Sequence, residues 1–275
     1  MKYCLLLFLF SIYEISGAQI FSGTVISKTD SSGLAYVNIG VIGKGIGTVS
    51  DETGNFLISL PESTGEDSLR FSICGYQSES FKISELAKCF PDGKMKVTLS
   101  EKIIHISEVI IHGNITDEIL GNRSVNRGIT GGFSSNQLGC EIGVLIKIKK
   151  APTFVKNLSF FITKNIFDTL FFRINVYSVK EGMPYLNLLA RPVYYNTTLK
   201  YGEITVDLSP YNIMVEDDFI ISLEWVKNFN EKKVKEGLFF ALRMGGAPTL
   251  YRHTSQDSWK ELQMVSLRFS TLVRY

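Results

Sequence analysis

Ser50-Asp51-Glu52-Thr53-Gly54-Asn55-Phe56-Leu57-Ile58-Ser59-Leu60 decides the fold of the N-terminal part of this chain. The first half of the stretch has the chemistry of a tight turn. An aspartate side chain bonds backbone amides just ahead of it, and a glycine takes the positive φ that closes the loop. The second half alternates, with Phe56, Ile58 and Leu60 on one face, which is the mark of a half-buried antiparallel strand. The same period of two runs outward from there, through Phe21 to Ser27, Tyr36 to Ile42, Leu69 to Ile73, Ser80 to Ile83 and Met95 to Leu99. Gly, Asp, Ser and Asn separate the runs, so residues 19–100 are predicted to form a small β-sandwich.

The ordered set Phe21-Ser22-Gly23-Thr24-Val25, Ala35-Tyr36-Val37-Asn38-Ile39, Gly47-Thr48-Val49-Ser50-Asp51, Gly54-Asn55-Phe56 and Phe71-Ser72-Ile73-Cys74-Gly75-Tyr76 resembles the carboxypeptidase-regulatory-like domain. That family is a transthyretin-like or prealbumin-like β-sandwich, and the resemblance implies a scaffold or docking module. The family pattern usually has Thr where this chain has Ser50. Glu101 to Gly113 looks like the apolar exit strand that follows this module in many outer-membrane receptors. The remaining length is too short for the barrel of such a receptor. Asn114 to Gly132 is polar and Gly-rich, so residues 101–132 read as an exit strand and a linker.

Alternation resumes beyond it. Ile142, Val144, Ile146 and Ile148 share one face, as do Phe172, Ile174 and Val176, and again Phe219, Ile221, Leu223 and Trp225. Helical periodicity is almost absent, and residues 133–275 are expected to form a larger jelly-roll-type sandwich. The whole chain is thus predicted to be all-β. Arg173-Ile174-Asn175-Val176-Tyr177, Pro184, Leu188-Leu189 and Gly202 to Ser209 weakly resemble the β-sandwich accessory modules of secreted bacterial proteins, which present carbohydrate- or protein-binding faces.

Residues 1–18 carry a basic start at Lys2, an apolar run from Tyr3 to Tyr13 and the small residues Ser16-Gly17-Ala18, the pattern of a secretory signal peptide. The run is shorter than the roughly twenty residues needed to span a bilayer, so no membrane span is expected. An exported protein of the periplasm or the outer cell surface follows. A formal net charge of +2 without a clustered basic face argues against a nucleic-acid partner. Cys74, Cys89 and Cys140 lie beyond the signal peptide, and a Cys74–Cys89 bridge and buried thiols both remain open.

The sharpest catalytic reading is a zinc peptidase built on His105, Glu108 and His253. In an extended strand, residues three apart point to opposite faces, and the helical periods of a peptidase domain are missing, so chance explains the match. No Gly-x-Ser-x-Gly elbow is written, and only three histidines are available as bases. Asp207, Glu216, Asp217, Asp218 and Glu224 are the acids a glycosidase would draw on, and they read as solvated. Gly43 to Gly47 reads as a hairpin turn. No cofactor, metal or catalytic residue is expected. Aromatics outside the alternating core favour binding, because sugar rings stack on such side chains; Tyr194, Tyr195, Tyr251 and Trp259 are the candidates. The sequence therefore points to a non-catalytic accessory protein of the bacterial envelope that recognises a glycan or an envelope protein. The first rival is a structural envelope component binding a protein partner through an open sheet edge. The second is a hydrolase, which predicts acids of shifted ionisation converging in a cleft.

Overall fold

The Asp51 turn closes as its chemistry requires. One carboxylate oxygen accepts the Thr53 and Asn55 amides at 2.8 and 2.9 Å, and Gly54 takes φ +86°. Just ahead, the buried Ser50 hydroxyl accepts the Val37 amide at 2.8 Å and donates to the Leu34 carbonyl at 3.0 Å. Ser50→Ala leaves both backbone groups without that partner and is expected to lower stability by about 1–3 kcal/mol. The check is a lower denaturant midpoint at unchanged slope.

The structure is a computed structural model that describes residues 18–102, 115–124, 128–229 and 235–275. The signal-peptide stretch through Gly17 and most of the expected exit strand, with His105, Glu108 and His112, lie outside the described residues.

The N-terminal unit comprises β1 (Ala18–Ser27), β2 (Asn38–Val41), β3 (Gly47–Val49), β4 (Asn55–Pro61), β5 (Ser68–Ser72), β6 (Glu79–Lys82), helix α1 (Ile83–Cys89) and β7 (Lys94–Leu99). Two sheets, β4-β1-β7 and β3-β2-β5-β6, enclose Phe21, Val25, Val37, Ile39, Phe56 and Phe71. The residues between β2 and β3 form the expected turn. Among the elements not foreseen is α1, whose Ile83 and Leu86, one turn apart, bury against this core.

The C-terminal unit runs through β8 (Asp117–Gly121), β9 (Thr130–Ser135), β10 (Glu141–Ile146), β11 (Thr153–Val155), β12 (Asn157–Asn165), β13 (Leu170–Lys180), β14 (Met183–Asn187) and β15 (Val193–Thr197). It continues with β16 (Gly202–Asp207), β17 (Ile213–Val215), β18 (Phe219–Lys227), β19 (Lys235–Met244), β20 (Thr249–Arg252), β21 (Lys260–Leu262), β22 (Val265–Leu267) and β23 (Phe269–Arg274). One sheet has the order β14-β13-β18-β10-β20-β21, with β15 also on β13. The other has the order β17-β11-β23-β12-β19-β22, with β16, β8 and β9 on β12, β23 and β19. Ile174, Leu223 and Trp225 from the first sheet meet Phe160, Phe240 and Phe269 from the second in one core. The fold is thus all-β: a small sandwich followed by a larger one.

The stretch expected to be a linker supplies β8 and the first half of β9. β8 pairs with β23 from Asp117↔Arg274 to Gly121↔Ser270, and β9 pairs with β19. Both partners lie far downstream, so nothing near β8 or β9 in sequence announces the pairing.

Candidate binding cleft between the two units

Alternation gives the first sheet of the C-terminal unit two faces. Phe172, Ile174 and Val176 on β13, with Ile221, Leu223 and Trp225 on β18, point into the sandwich core. Arg173, Asn175 and Tyr177, with Ile220, Ser222, Glu224 and Val226, lie on the opposite face, which ordinarily meets water. Here they too are buried: Tyr36 and Val49 of the N-terminal unit pack on Val226 and the Tyr36 carbonyl meets Arg173, while Leu250 and Trp259 pack on Tyr177 and Ile220. Tyr36, Val49 and Val226 form a small core across the seam, flanked by Phe171 and Tyr194.

The loop after β20 locks the seam. Ser255 Oγ lies 3.0 Å from Asn38 Oδ1 as donor, Gln256 Nε2 donates to Ser72 Oγ at 2.7 Å, and the Gly43 amide donates to the Gln256 carbonyl at 2.8 Å. Lys227 and Glu52 add an ion pair at 2.5 Å. Tyr36 holds a left-handed φ of +58°, and its carbonyl accepts Arg173 Nη1 at 2.6 Å. A non-glycine residue in that conformation is costly unless its surroundings fix it, and this hydrogen bond is one of the things that fixes it.

Beneath the seam lies a charged network shielded from water. Arg173 donates to Glu224 Oε2 from Nε at 3.0 Å and from Nη2 at 2.8 Å. Arg252 Nη2 pairs with Glu141 Oε2 at 2.5 Å and reaches Glu224 Oε1 at 3.4 Å. Asn175 Nδ2 bridges the two carboxylates at 2.8 Å each, and Ser222 Oγ donates to Glu141 at 2.5 Å. Glu224, read from sequence as a solvated acid, is therefore wholly buried. Burial pushes the Glu141 carboxyl above its usual range. Glu224 is equally buried, but Arg173 and Arg252 outweigh that and hold it below. All four carboxylate oxygens are engaged, so these acids position the two guanidiniums.

A cleft of about 390 Å³ opens above this network, between the units. Arg173, Asn175, Tyr177 and Arg252 lie on its floor, while Tyr76, Tyr185 and Trp259 bring aromatic surface to its walls. The Arg252 guanidinium sits 5.1 Å from the Trp259 ring centre, and among the described residues its buried Nε has no hydrogen-bond partner. Tyr177 packs edge-on to Trp259 at 6.0 Å, and burial drives its hydroxyl pKa upward. Cys74 also lines the cleft; burial raises its thiol to about 11. It is free, as are Cys89 and Cys140.

Of the four aromatics picked from sequence, Trp259 alone lines this cleft. Tyr194, on β15, packs in the seam, stacked on Phe171 at 5.4 Å and edge-on to Tyr36 at 5.2 Å. Burial pushes its hydroxyl up to about 12. Tyr195 packs against the sandwich core. Tyr251 also packs there, 5.3 Å from the His253 ring, and lines a separate pocket of about 220 Å³. The floor residues were not among those candidates, yet β18 carried a signal: Ile220 and Val226 put apolar residues on its second face as well, beside Ser222 and Glu224, a trace of a strand covered on both sides.

Residues 21–111 match the CarboxypepD_reg-like domain family, the module expected at the N-terminus. No curated protein matches the chain. Solved structures overlap it loosely. The cysteine protease and lectin-like domains of Cwp84, a surface layer associated protein of Clostridium difficile, share 10% identity at a TM-score of 0.36, covering 51% of this chain and 32% of that one. BcpA, the major pilin subunit of Bacillus cereus, shares 14% at a TM-score of 0.22, covering 90% of this chain and 67% of that one. This chain thus spans about a third of the Cwp84 structure. No helix among the described residues is long and apolar enough to cross a membrane.

Proposed function

We propose that this chain is an exported, non-catalytic recognition protein of the bacterial cell envelope that takes a glycan in the cleft between its two units. The observation that carries this reading is the cleft itself, which combines a floor of buried polar side chains with aromatic walls at Tyr76, Tyr185 and Trp259. Polar groups that converge on a concave site fix orientation, while aromatic rings stack on the apolar faces of sugars. The hydrolase rival called for acids of shifted ionisation in a cleft. Glu141 and Glu224 are shifted, but they lie under the floor with every oxygen bonded, which supports binding. The N-terminal module serves as a wall of the site.

The test is a glycan array probed with the exported protein, then repeated with Trp259→Ala and Tyr185→Ala. Selective binding weakened about ten-fold or more by either variant, each still folded by circular dichroism, is the expected result. Folded variants that bind like the parent would remove the cleft from consideration.

A further inference from the structure

Resting on that reading of the cleft, we infer that its ligand is acidic, a saccharide bearing a carboxylate. The side chains that line the cleft include four cations, Arg70, Lys102, Arg173 and Arg252, against one anion, Asp257. Asp257 is already occupied, accepting the His253 amide at 3.2 Å and the Ser258 amide at 2.9 Å. Glu141 and Glu224 balance Arg173 and Arg252 from below. Among the described residues, that leaves Arg70 and Lys102 as the charge with no carboxylate partner. Among the described residues the Arg70 side chain bonds only the Ser78 hydroxyl, at 3.1 Å, and no carboxylate pairs with Lys102.

A second observation points the same way. Arg252 is 9% exposed, and among the described residues its Nε is a buried donor without an acceptor. Buried donors are rarely left unpaired, since each then loses its hydration with nothing in return. A ligand oxygen meeting it would remove that cost, and a carboxylate oxygen does so with the stronger, charge-assisted bond. Trp259 beside the same guanidinium then offers a face to the sugar ring that carries the acid. Neutral sugars satisfy the aromatic walls but leave Arg70 and Lys102 without a counter-charge.

The experiment uses a panel of neutral and uronic-acid oligosaccharides, each acid paired with its own methyl ester, measured by calorimetry against the exported protein. At least one acid is expected to bind about ten-fold or more tightly than its ester, with the gap narrowing at high salt. Arg70→Ala/Lys102→Ala removes two surface charges and no core contact, and it is expected to weaken the acid by about ten-fold and so narrow the gap. Equal binding of acid and ester, or binding of neutral sugars alone, would overturn charge selection and leave the cleft as a glycan site. If no glycan of either kind binds the folded protein, the cleft reading falls and this inference falls with it.

Discussion

Arg173→Leu is expected to destabilise the protein by about 3–5 kcal/mol, the usual penalty for breaking a buried ion pair. The guanidinium is 2% exposed and its Glu224 partner fully buried, so the substitution leaves an uncompensated carboxylate in a medium that solvates it poorly. Arg252 cannot take over: it stands 3.4 Å from Glu224 and is committed to Glu141 at 2.5 Å. Nor is the damage confined to one unit. The same side chain caps the Tyr36 carbonyl, so its removal frees a residue in the left-handed region that the seam had been holding. Arg173→Leu/Glu224→Gln tests the cause, because a neutral amide needs no counter-charge, and the double variant should recover a substantial part of the loss. Denaturant unfolding of the wild type, Arg173→Leu, Glu224→Gln and the double variant measures the coupling. A loss below about 1 kcal/mol is the range of a solvated pair, and it would mean that water reaches Arg173 and that the units are not docked.

That network explains why the architecture was legible and the site was not. Phe56, Ile58 and Leu60 announce their strand, and Asp51 with Gly54 announces the turn before it, because the physics of each acts within a few residues. Arg173, Asn175 and Tyr177 obey the same alternation, and for that reason they look like a wet face. Cover on the second face, from Tyr36 and Val49 at one end and from Leu250 and Trp259 at the other, leaves the period of two untouched and changes only what lies opposite. The trace is in β18, where Ile220 and Val226 stand on the supposedly wet face beside Glu224. The aromatic argument failed to bring its residues together for a related reason. Tyr194 and Tyr195 are neighbours on one strand, so they face opposite ways, one into the seam and the other toward the sandwich core. β8 and β9 were invisible because a short, polar strand is specified by its partner, and the partner of β8 is β23 at the other end of the chain.

Gly40→Ala/Gly47→Ala should part the two units while leaving both sandwiches folded. Gly40 on β2 and Gly47 on β3 are paired neighbours, set on the face away from Ile39 and Val41, which fill the N-terminal core. A Cβ at Gly40 would stand 2.3 Å from the Ser255 carbonyl oxygen and 2.9 Å from that of Ile46. At Gly47 it would stand 2.4 Å from the same Ser255 oxygen and 3.1 Å from the Ile39 carbonyl oxygen. These are backbone atoms, so no rotamer change relieves the overlap, and the loop after β20 must move. Overpacking of this kind costs about 1–3 kcal/mol per site, enough to displace a loop held by a few hydrogen bonds. With it go the Ser255–Asn38 and Gln256–Ser72 bonds and the bond that protects the Gly43 amide. Hydrogen exchange at Gly43 should therefore quicken while the far-ultraviolet circular dichroism is kept. Because Arg252 and Trp259 flank the displaced loop, glycan binding should fall by about ten-fold or more in the same variant. Gly65→Ala is the control, since Gly65 has φ −52° and its Cβ would meet nothing closer than the Glu62 carbonyl oxygen at 3.8 Å. A double variant with a protected Gly43 amide and parental binding would show that the loop does not lock the seam, and that the cleft does not depend on how the module is docked.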